Sequence, residues 1–435
     1  MKQKSFLNCL AVVLAAFACV GTAVAQESRK NPIVCPWNPV RTVAVGSDPA
    51  GQNPFSSRAI QDALDALRNT GGVVKLLPGT YDVTAPIRLY SNTALVGSGP
   101  STVLKKCKGV RTRFVVDADY GELFLTVQDP TGFVPGMGVQ IYDSDQDGGW
   151  DVTTAVITAV ENNVLFIDNH LVRDYRSDRN GIVSNACSVV SAVEADHVTI
   201  ADLTVDGSRE SNDALNGCRG GGVYLHKVKN ATVANVIVRN FDADGISWQI
   251  TEDVVVRNCE IAGCANSGLH PGTGSPRTTI EGNDSHHNDR FGLFICWRVQ
   301  NAVVRNNRFR HNGLNGICTG HKDTDVLFEG NRIHENGGDG ANFRGERPSN
   351  APHRNTFRNN TVENNGLKNG GYGFSFESRA ENVVLENNTI RNTEGGKQKA
   401  AVYVGRNGLP VTLKNNTISG HALGDVMFEK KTGGE

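Results

Sequence analysis

From about residue 190 onward the apolar positions fall in short alternating runs such as "AVVRNNRF" and "GLFIC", separated by turns rich in glycine and asparagine. Alternation over so few residues predicts strands, and the runs are too short for strand–helix–strand units. The runs also recur in register. Aligning them on the glycine that opens each phrase gives Gly222, Gly245, Gly268, Gly292, Gly316, Gly340 and Gly373, with Ala401 in the last place. Successive spacings are 23, 23, 24, 24, 24, 33 and 28 residues. A fixed period of this size is the mark of a solenoid, in which each repeat is covered only by its neighbours.

A second signal lies inside each repeat. One position reads Cys259, Asn283, Asn307, Asn331, Asn360, Asn388 and Asn416, and another reads Cys264, Asn288, Asn312 and Asn336. One amide per coil in register can bond the next across a strand spacing of about 4.8 Å. Such a ladder satisfies groups that would otherwise be costly to bury. Cys259 and Cys264 stand at the head of each column as small buried thiols. The predicted fold is therefore all-β, a right-handed parallel β-helix.

The N-terminal part adds three features. "SSRAIQDALDALRNTGG" predicts a short amphipathic helix capped by Ser56 or Ser57, with Ile60, Leu64 and Leu67 on one face and Gly71 at its end. A helix there would cover the open mouth of the solenoid, so residues 26–107 are expected to hold the cap and first coils. Between 108 and 187 the period is lost, and "GELFLTVQDPTGFVPGMGVQIYD" and "TTAVITAVENNVLFIDNHL" predict a small β insertion. The coils of residues 188–435 then carry the functional face. Residues 1–25 read as an export signal: Lys2 and Lys4 precede the apolar run Leu10–Val20, and Ala23 and Ala25 suit cleavage after Ala25. A periplasmic or secreted location follows, with no later stretch apolar enough to span a membrane.

Composition changes this picture little. The 435 residues carry a net charge of −1, which argues against nucleic acid as the main partner but leaves room for a local basic patch on an acidic polysaccharide. Eight of the ten cysteines lie beyond the signal, without a Cys-x-x-Cys pair. Mostly buried thiols are expected, with one bridge near Cys35 or Cys187.

The cap helix with "GGVVKLLPGTYDV", followed by asparagine-laddered coils, resembles the pectin-lyase-like β-helix superfamily. That resemblance implies the fold and leaves the activity open, because lyases, epimerases, glycosidases and phage tailspikes share it. Within the group, "SGLHPGTGSPRTTIEGNDSHHNDRFGLFICWRVQNAVVRNN" looks most like mannuronan C5-epimerases, which carry an Asp-Pro-His motif at the matching coil. Here His270 precedes Pro271 and no Asp stands before them. The resemblance also implies a polysaccharide bound along one face of the solenoid.

Alternation identifies that face. The residue after each glycine is apolar and points inward, so the second and fourth residues point outward. These include Tyr224, His226, Gln249, His270, Asn342, Arg344 and Glu377, and just beyond the strands come Trp297, Arg298, His321, Lys322, Asp323 and Glu346. For proton abstraction at C5 of a uronate, Arg298, Lys322 and Arg344 are candidate cations against the carboxylate. His270 or Lys322 is the candidate base, and His321 or Tyr224 the second proton-transfer group. Trp297 offers a platform for a sugar ring. Hydrolysis would need two carboxylates, for which Asp323, Glu346 and Glu377 stand on adjacent coils, with Asp244 and Asp339 as further choices. A surface Lys322–Glu346 ion pair, or a non-catalytic carbohydrate-binding wall, is the plainer reading of the same residues.

One further motif, "DSDQDGGWD", places Asp143, Asp145 and Asp147 at alternate positions as in a calcium loop. Thr154 stands where the bidentate glutamate belongs, so an acidic turn is the simpler expectation, with Ca²⁺ as the alternative. No cofactor is required by either mechanism, and the oligomeric state is open.

Overall fold

The computed structural model describes residues 42–46, 56–368 and 370–429, all within the compact unit spanning 39–435. Residues 1–25, expected to form an export signal, and Cys35 lie outside the described residues.

Each repeat turns once around a common core, and from Gly245 onward each contributes three short strands. In the coil that opens at Gly292 these are Leu293–Phe294, Val303–Arg305 and Arg308–Arg310. The first joins an 11-stranded sheet running from Ile87–Leu89 to Val426–Phe428. The other two join a 21-stranded sheet. The repeats pair in parallel and in register: Leu293 with Ile317, Val303 with Leu327, Arg308 with Arg332. Most strands have three residues with the middle or outer ones alternately buried, as in Val303–Arg305, because only one side of each run meets the core.

The residue after each opening glycine is buried in that core: Val223, Ile246, Leu269, Leu293, Ile317, Ala341 and Phe374. Stacking continues along the axis, with the Phe328 and Phe357 rings 4.1 Å apart and Phe343 and Phe376 4.6 Å apart. The opening glycine is required by close approach rather than by a special backbone angle. A Cβ on Gly292 would lie 2.7 Å from the Gly316 carbonyl oxygen of the next coil.

Both asparagine columns form. Asn307 donates from Nδ2 to Asn331 Oδ1 at 2.9 Å, and Asn331 to Asn360 at 3.0 Å. The second column, Asn288–Asn312–Asn336, continues through Asn365 and ends on Gln398 Oε1 at 3.1 Å. Cys259 and Cys264 head the columns through their backbone N–H groups, which donate to Asn283 and Asn288. Their thiols are buried, and desolvation pushes both up to about 12. The seven described cysteines are all free, Cys187 among them, so the bridge considered at Cys187 is a buried thiol.

The helix Ser57–Leu67 is capped by Ser56, whose hydroxyl accepts from the Ala59 N–H at 3.3 Å. It buries Ile60, Ala63, Leu64 and Leu67 in the same core as the first coils. Gly71, at φ +68°, ends the turn with its N–H on the Leu67 carbonyl. A separate antiparallel sheet of six strands, between Arg111 and Ser184, surrounds its own core of Phe114, Leu125, Ile141, Ile157, Leu165 and Tyr175. No helix among the described residues is long and apolar enough to cross a membrane.

Within this insertion Asp143 is buried and spends both oxygens on the backbone. Oδ1 accepts from the N–H groups of Asp145 and Gln146, and Oδ2 from that of Arg176. Asp145 pairs with Arg179 at 2.6 Å. The turn thus takes up both oxygens of Asp143, and Asp145 is engaged by Arg179. Among the described residues no group of three or more His, Cys, Asp or Glu is placed to hold a metal ion.

Candidate functional site

The second residues of successive coils point away from the core into one wall, the outer face of the 11-stranded sheet. Pairing aligns Tyr224 with Ser247, Ser247 with His270, Phe294 with Cys318, Cys318 with Asn342, Asn342 with Ser375, and Ser375 with Tyr403. The wall has two unlike halves.

The N-terminal half is covered. The segment around residues 212–221, which leaves the strand Thr199–Asp206 and returns to Val223, lies across it. Ser247 donates to the Gly217 carbonyl at 2.8 Å, and the Tyr224 hydroxyl donates to the Cys218 carbonyl at 2.8 Å. Burial raises the Tyr224 phenol above its ordinary value. Gly217 sits so close to Asp244 and His270 that a Cβ there would collide with the carboxylate. Trp150 of the insertion adds to the cover, its ring 5.6 Å from that of His226 and under the Arg219 guanidinium. Burial, with Lys227 and Arg219 nearby, lowers His226 to about 4, so it is neutral at physiological pH. Gln249 is fully buried, its Nε2 on Ser247 Oγ, and Gly272 leaves the room it needs. Tyr224, His226 and Gln249, expected above on the outward face that would meet the polysaccharide, therefore lie beneath a lid of the protein's own chain. Strand alternation gives direction but not what lies on top.

His270 belongs to this covered half. It is 3 % exposed, and its Nδ1 meets Asp244 Oδ2 at 2.6 Å. Burial opposes a charge on the ring, but the Asp244 carboxylate outweighs it and raises the pKa to about 10. With Nδ1 bound to Asp244 and the ring buried, His270, considered above as the base, does not meet the accessible part of the wall. Asp244 also caps the next coil by accepting from the Ser267 N–H, and it was considered above only as a hydrolytic carboxylate.

The C-terminal half is accessible only at the ends of its strands, since Cys318, Asn342 and Ser375 on the strands themselves are buried. Trp297 is 45 % exposed and stacks on His321, ring centroids 4.8 Å apart. His321 Nδ1 lies 3.3 Å from Glu346 Oε2, each with its side chain partly accessible. Glu346 thus pairs with His321 rather than with Lys322. Arg344 lies with its guanidinium 4.8 Å above the Phe294 ring and donates from Nη1 to the Ile295 carbonyl at 3.0 Å. Gly320 makes this possible, since a Cβ there would stand 2.5 Å from Arg344 Nη2. Burial opposes the charge, but Cys318 and Asp323 raise the guanidinium above its ordinary value. Arg344 is a fixed cation.

Arg298 and Lys322 are exposed and sit in left-handed turns at the ends of their strands, with φ +64° and +58°. They stand on the rim of the wall, not beside His270. Asp323 is fully buried: Oδ1 accepts from the Val299 N–H, and Oδ2 from the Gly320 N–H and the Thr319 hydroxyl. Desolvation raises it to about 6. It shapes the turn that presents His321 and is no substrate carboxylate. Asn342 donates to Ser375 Oγ at 2.8 Å, and Ser375 to Asp339 at 2.5 Å. Glu377 is exposed, with its carboxyl pushed up by partial desolvation and by Asp339 and Glu429. Beyond it Tyr372 and Tyr403 stack at 4.4 Å.

Coils stacked in register, two sheets of parallel strands and one polar outer wall define a right-handed parallel β-helix. The profile of the right-handed β-helix region matches residues 157–357 and 296–432, and the chain belongs to that family. No protein of curated function matches the sequence. Among solved structures, the chain is similar to the A-module of the mannuronan C-5 epimerase AlgE4 of Azotobacter vinelandii. That match has 16 % identity and a TM-score of 0.56, over 86 % of this chain and 93 % of the other. The A-module of AlgE6 from the same organism gives 18 % and 0.53, again over 86 % and 93 %. The Dettilon tailspike protein gives 12 % and 0.52, over 89 % of this chain and 68 % of its own. At these identities the likeness is one of fold.

Proposed function

We propose that this chain acts on a uronate-containing polysaccharide bound along the accessible part of the wall, abstracting the C5 proton as a lyase or a C5-epimerase. The observation that carries this reading is the accessible His321–Glu346 pair with exposed Trp297 stacked on His321, the Arg344 guanidinium being held against Gly320, the residue before His321. Coils spaced by about 4.8 Å offer close to one sugar ring per coil, so an extended chain can run along the axis.

The chemistry needs two things. Charge that develops on the uronate carboxylate as C5 loses its proton must be stabilised, and Arg344 does this from a position that costs no reorganisation. A base must reach C5. His321, turned by Glu346, takes the proton on its free ring nitrogen. Lys322 and Arg298 on the rim hold neighbouring uronates. Elimination follows if a proton reaches the leaving oxygen, and epimerisation if one returns to the opposite face of C5. The two similar epimerase modules act on mannuronan, which makes that polymer the first to test.

A second reading, hydrolysis, is favoured by one observation. Glu377, with its raised pKa, suits a general acid, and a Cβ on the adjacent Gly345 would lie 4.0 Å from its Oε2. Glu346 would then be the partner carboxylate.

The test is to incubate the protein with mannuronan, alginate, pectate and glycosaminoglycans, following unsaturated-sugar absorbance, reducing ends and epimer ratio together. Absorbance or an altered epimer ratio, abolished by Arg344→Ala and His321→Ala, supports the proposal. Reducing ends without absorbance, abolished by Glu377→Gln, would replace it with hydrolysis. Binding with no change in any polymer would leave a non-catalytic wall.

A further inference from the structure

The Asp244–His270 pair is not explained by proton abstraction from a sugar. A buried imidazole bound to a buried carboxylate through Nδ1 leaves Nε2 at the opposite end of the ring. Here Nε2 is shielded from solvent and has no hydrogen-bond partner of good geometry. An unmet polar atom in a covered site is costly, and its orientation asks for a reason.

The group in front of it belongs to the next coil. Leu269 pairs with Leu293 and Gly272 with Cys296, so Phe294 stands beside His270 and Cys296 lies diagonally across the same face. The Phe294 ring is 5.0 Å from the imidazole, and the Cys296 N–H donates to the Pro271 carbonyl at 2.9 Å. Register thus places the Cys296 side chain on the outer face that carries His270 and Phe294, and the Arg344 guanidinium lies 4.8 Å over the same Phe294 ring. Cys296 is free and partly exposed, at the border where the covered half of the wall meets the accessible part. Cysteine nucleophiles react as thiolates and sit beside cationic groups in partly exposed settings. A carboxylate that orients a histidine, which in turn faces a nucleophile, is the logic of acyl-transfer triads.

We propose that Asp244, His270 and Cys296 form a thiol acyl-transfer site that hydrolyses esters, with an O-acylated carbohydrate as the substrate class the wall would present. The Cys296 sulfur attacks the ester carbonyl, forming a C–S bond. The ester C–O bond breaks, and the departing alkoxide takes the proton from His270 Nε2. Water then attacks the thioester, giving its proton to Nε2. The C–S bond breaks, the carboxylic acid leaves, and the Cys296 sulfur and the His270 ring are returned to their starting state. Nothing is oxidised or reduced. Asp244 is a positioning residue, which fixes the tautomer and the charge of His270. The proposal does not depend on the uronate reading.

The experiment uses the full chain, p-nitrophenyl acetate and iodoacetamide, neither of which contains a sugar, so its failure and that of the uronate reading are separable. Mass spectrometry after brief exposure to p-nitrophenyl acetate should find an acetyl group on Cys296. Iodoacetamide should modify Cys296 faster than Cys107 or Cys218, the other partly exposed thiols among the described residues. Ester turnover should be lost in Cys296→Ala and fall by about 10²–10⁴-fold in His270→Asn, the range for removing a positioned acid–base group. Cys107→Ser should turn over ester like the parent. Because His270→Asn disturbs a buried pair and can impair folding, Cys296→Ala and the acetyl mass carry the test alone. Absence of acetyl on Cys296, turnover that survives Cys296→Ala, or alkylation of Cys296 no faster than of Cys107 would each overturn the proposal.

Discussion

Asn307→Ala tests whether the amide ladder sets the register on which the site depends. Asn307 Oδ1 accepts from both the backbone N–H and the side-chain Nδ2 of Asn283, each at 2.9 Å. Its own Nδ2 donates to the Ile280 carbonyl and to Asn331 Oδ1. Alanine removes all four bonds. Asn331 Oδ1 still accepts from the backbone N–H of residue 307, so its loss is partial. Asn283 loses more: its N–H and one side-chain hydrogen are left buried without an acceptor. Each orphaned buried donor costs about 1–3 kcal/mol, so the substitution should destabilise by roughly 2–6 kcal/mol. The neighbouring Arg308→Ala removes an exposed pair with Asp284, 2.7 Å apart, and should cost about 0–1 kcal/mol. Denaturant midpoints followed by circular dichroism compare the two. Hydrogen exchange then shows whether the loss centres on the flanking coils, as nearest-neighbour coupling in a solenoid requires. Equal midpoints for Asn307→Ala and Arg308→Ala would show that the amide column is not what holds the coils in register.

Other consequences concern the wall. Arg344→Ala should lower kcat/KM on a uronate polymer by about 10²–10³-fold, the usual effect of removing one fixed charge-stabilising donor. Arg344→Lys should recover little, because the lysine ammonium cannot make the same planar contact over Phe294. Trp297→Ala should act mainly through KM, by about 0.5–1.5 kcal/mol if a sugar face stacks there as an aromatic ring would; an unchanged KM in steady-state kinetics would remove Trp297 from the binding surface. The His270 pKa, raised from 6.5 to about 10, makes a stability contribution that is full below pH 6.5 and is lost as pH rises towards 10. Melting temperature should therefore fall across that window more steeply in the parent than in Asp244→Asn, and parallel profiles would argue against a charged pair.

Much of the architecture is legible in the chain. The glycine spacing, the asparagine columns and the capped helix each rest on local rules, and a repeat multiplies a weak local signal until its period is unmistakable. Alternation also gives the direction of each side chain. It does not give cover. His270 and Tyr224 point outward yet are buried, because the 212–221 segment folds back over them, and that segment carries no period. Asp323 and Glu346 look alike as outward acids in neighbouring turns. One is drawn in by three hydrogen-bond donors, and the other remains accessible beside His321. The partnership of Asp244 with His270 was hidden because the two lie on successive coils, 26 residues apart.

The amino-acid sequence by itself determined the coil, the register and the wall, since these follow from interactions repeated at fixed spacing between adjacent turns. Tertiary structure alone decided which part of that wall is covered and which histidine is paired with a buried carboxylate. Those outcomes depend on contacts made once, between a non-repeating segment and the coils it covers, and no periodic pattern encodes them.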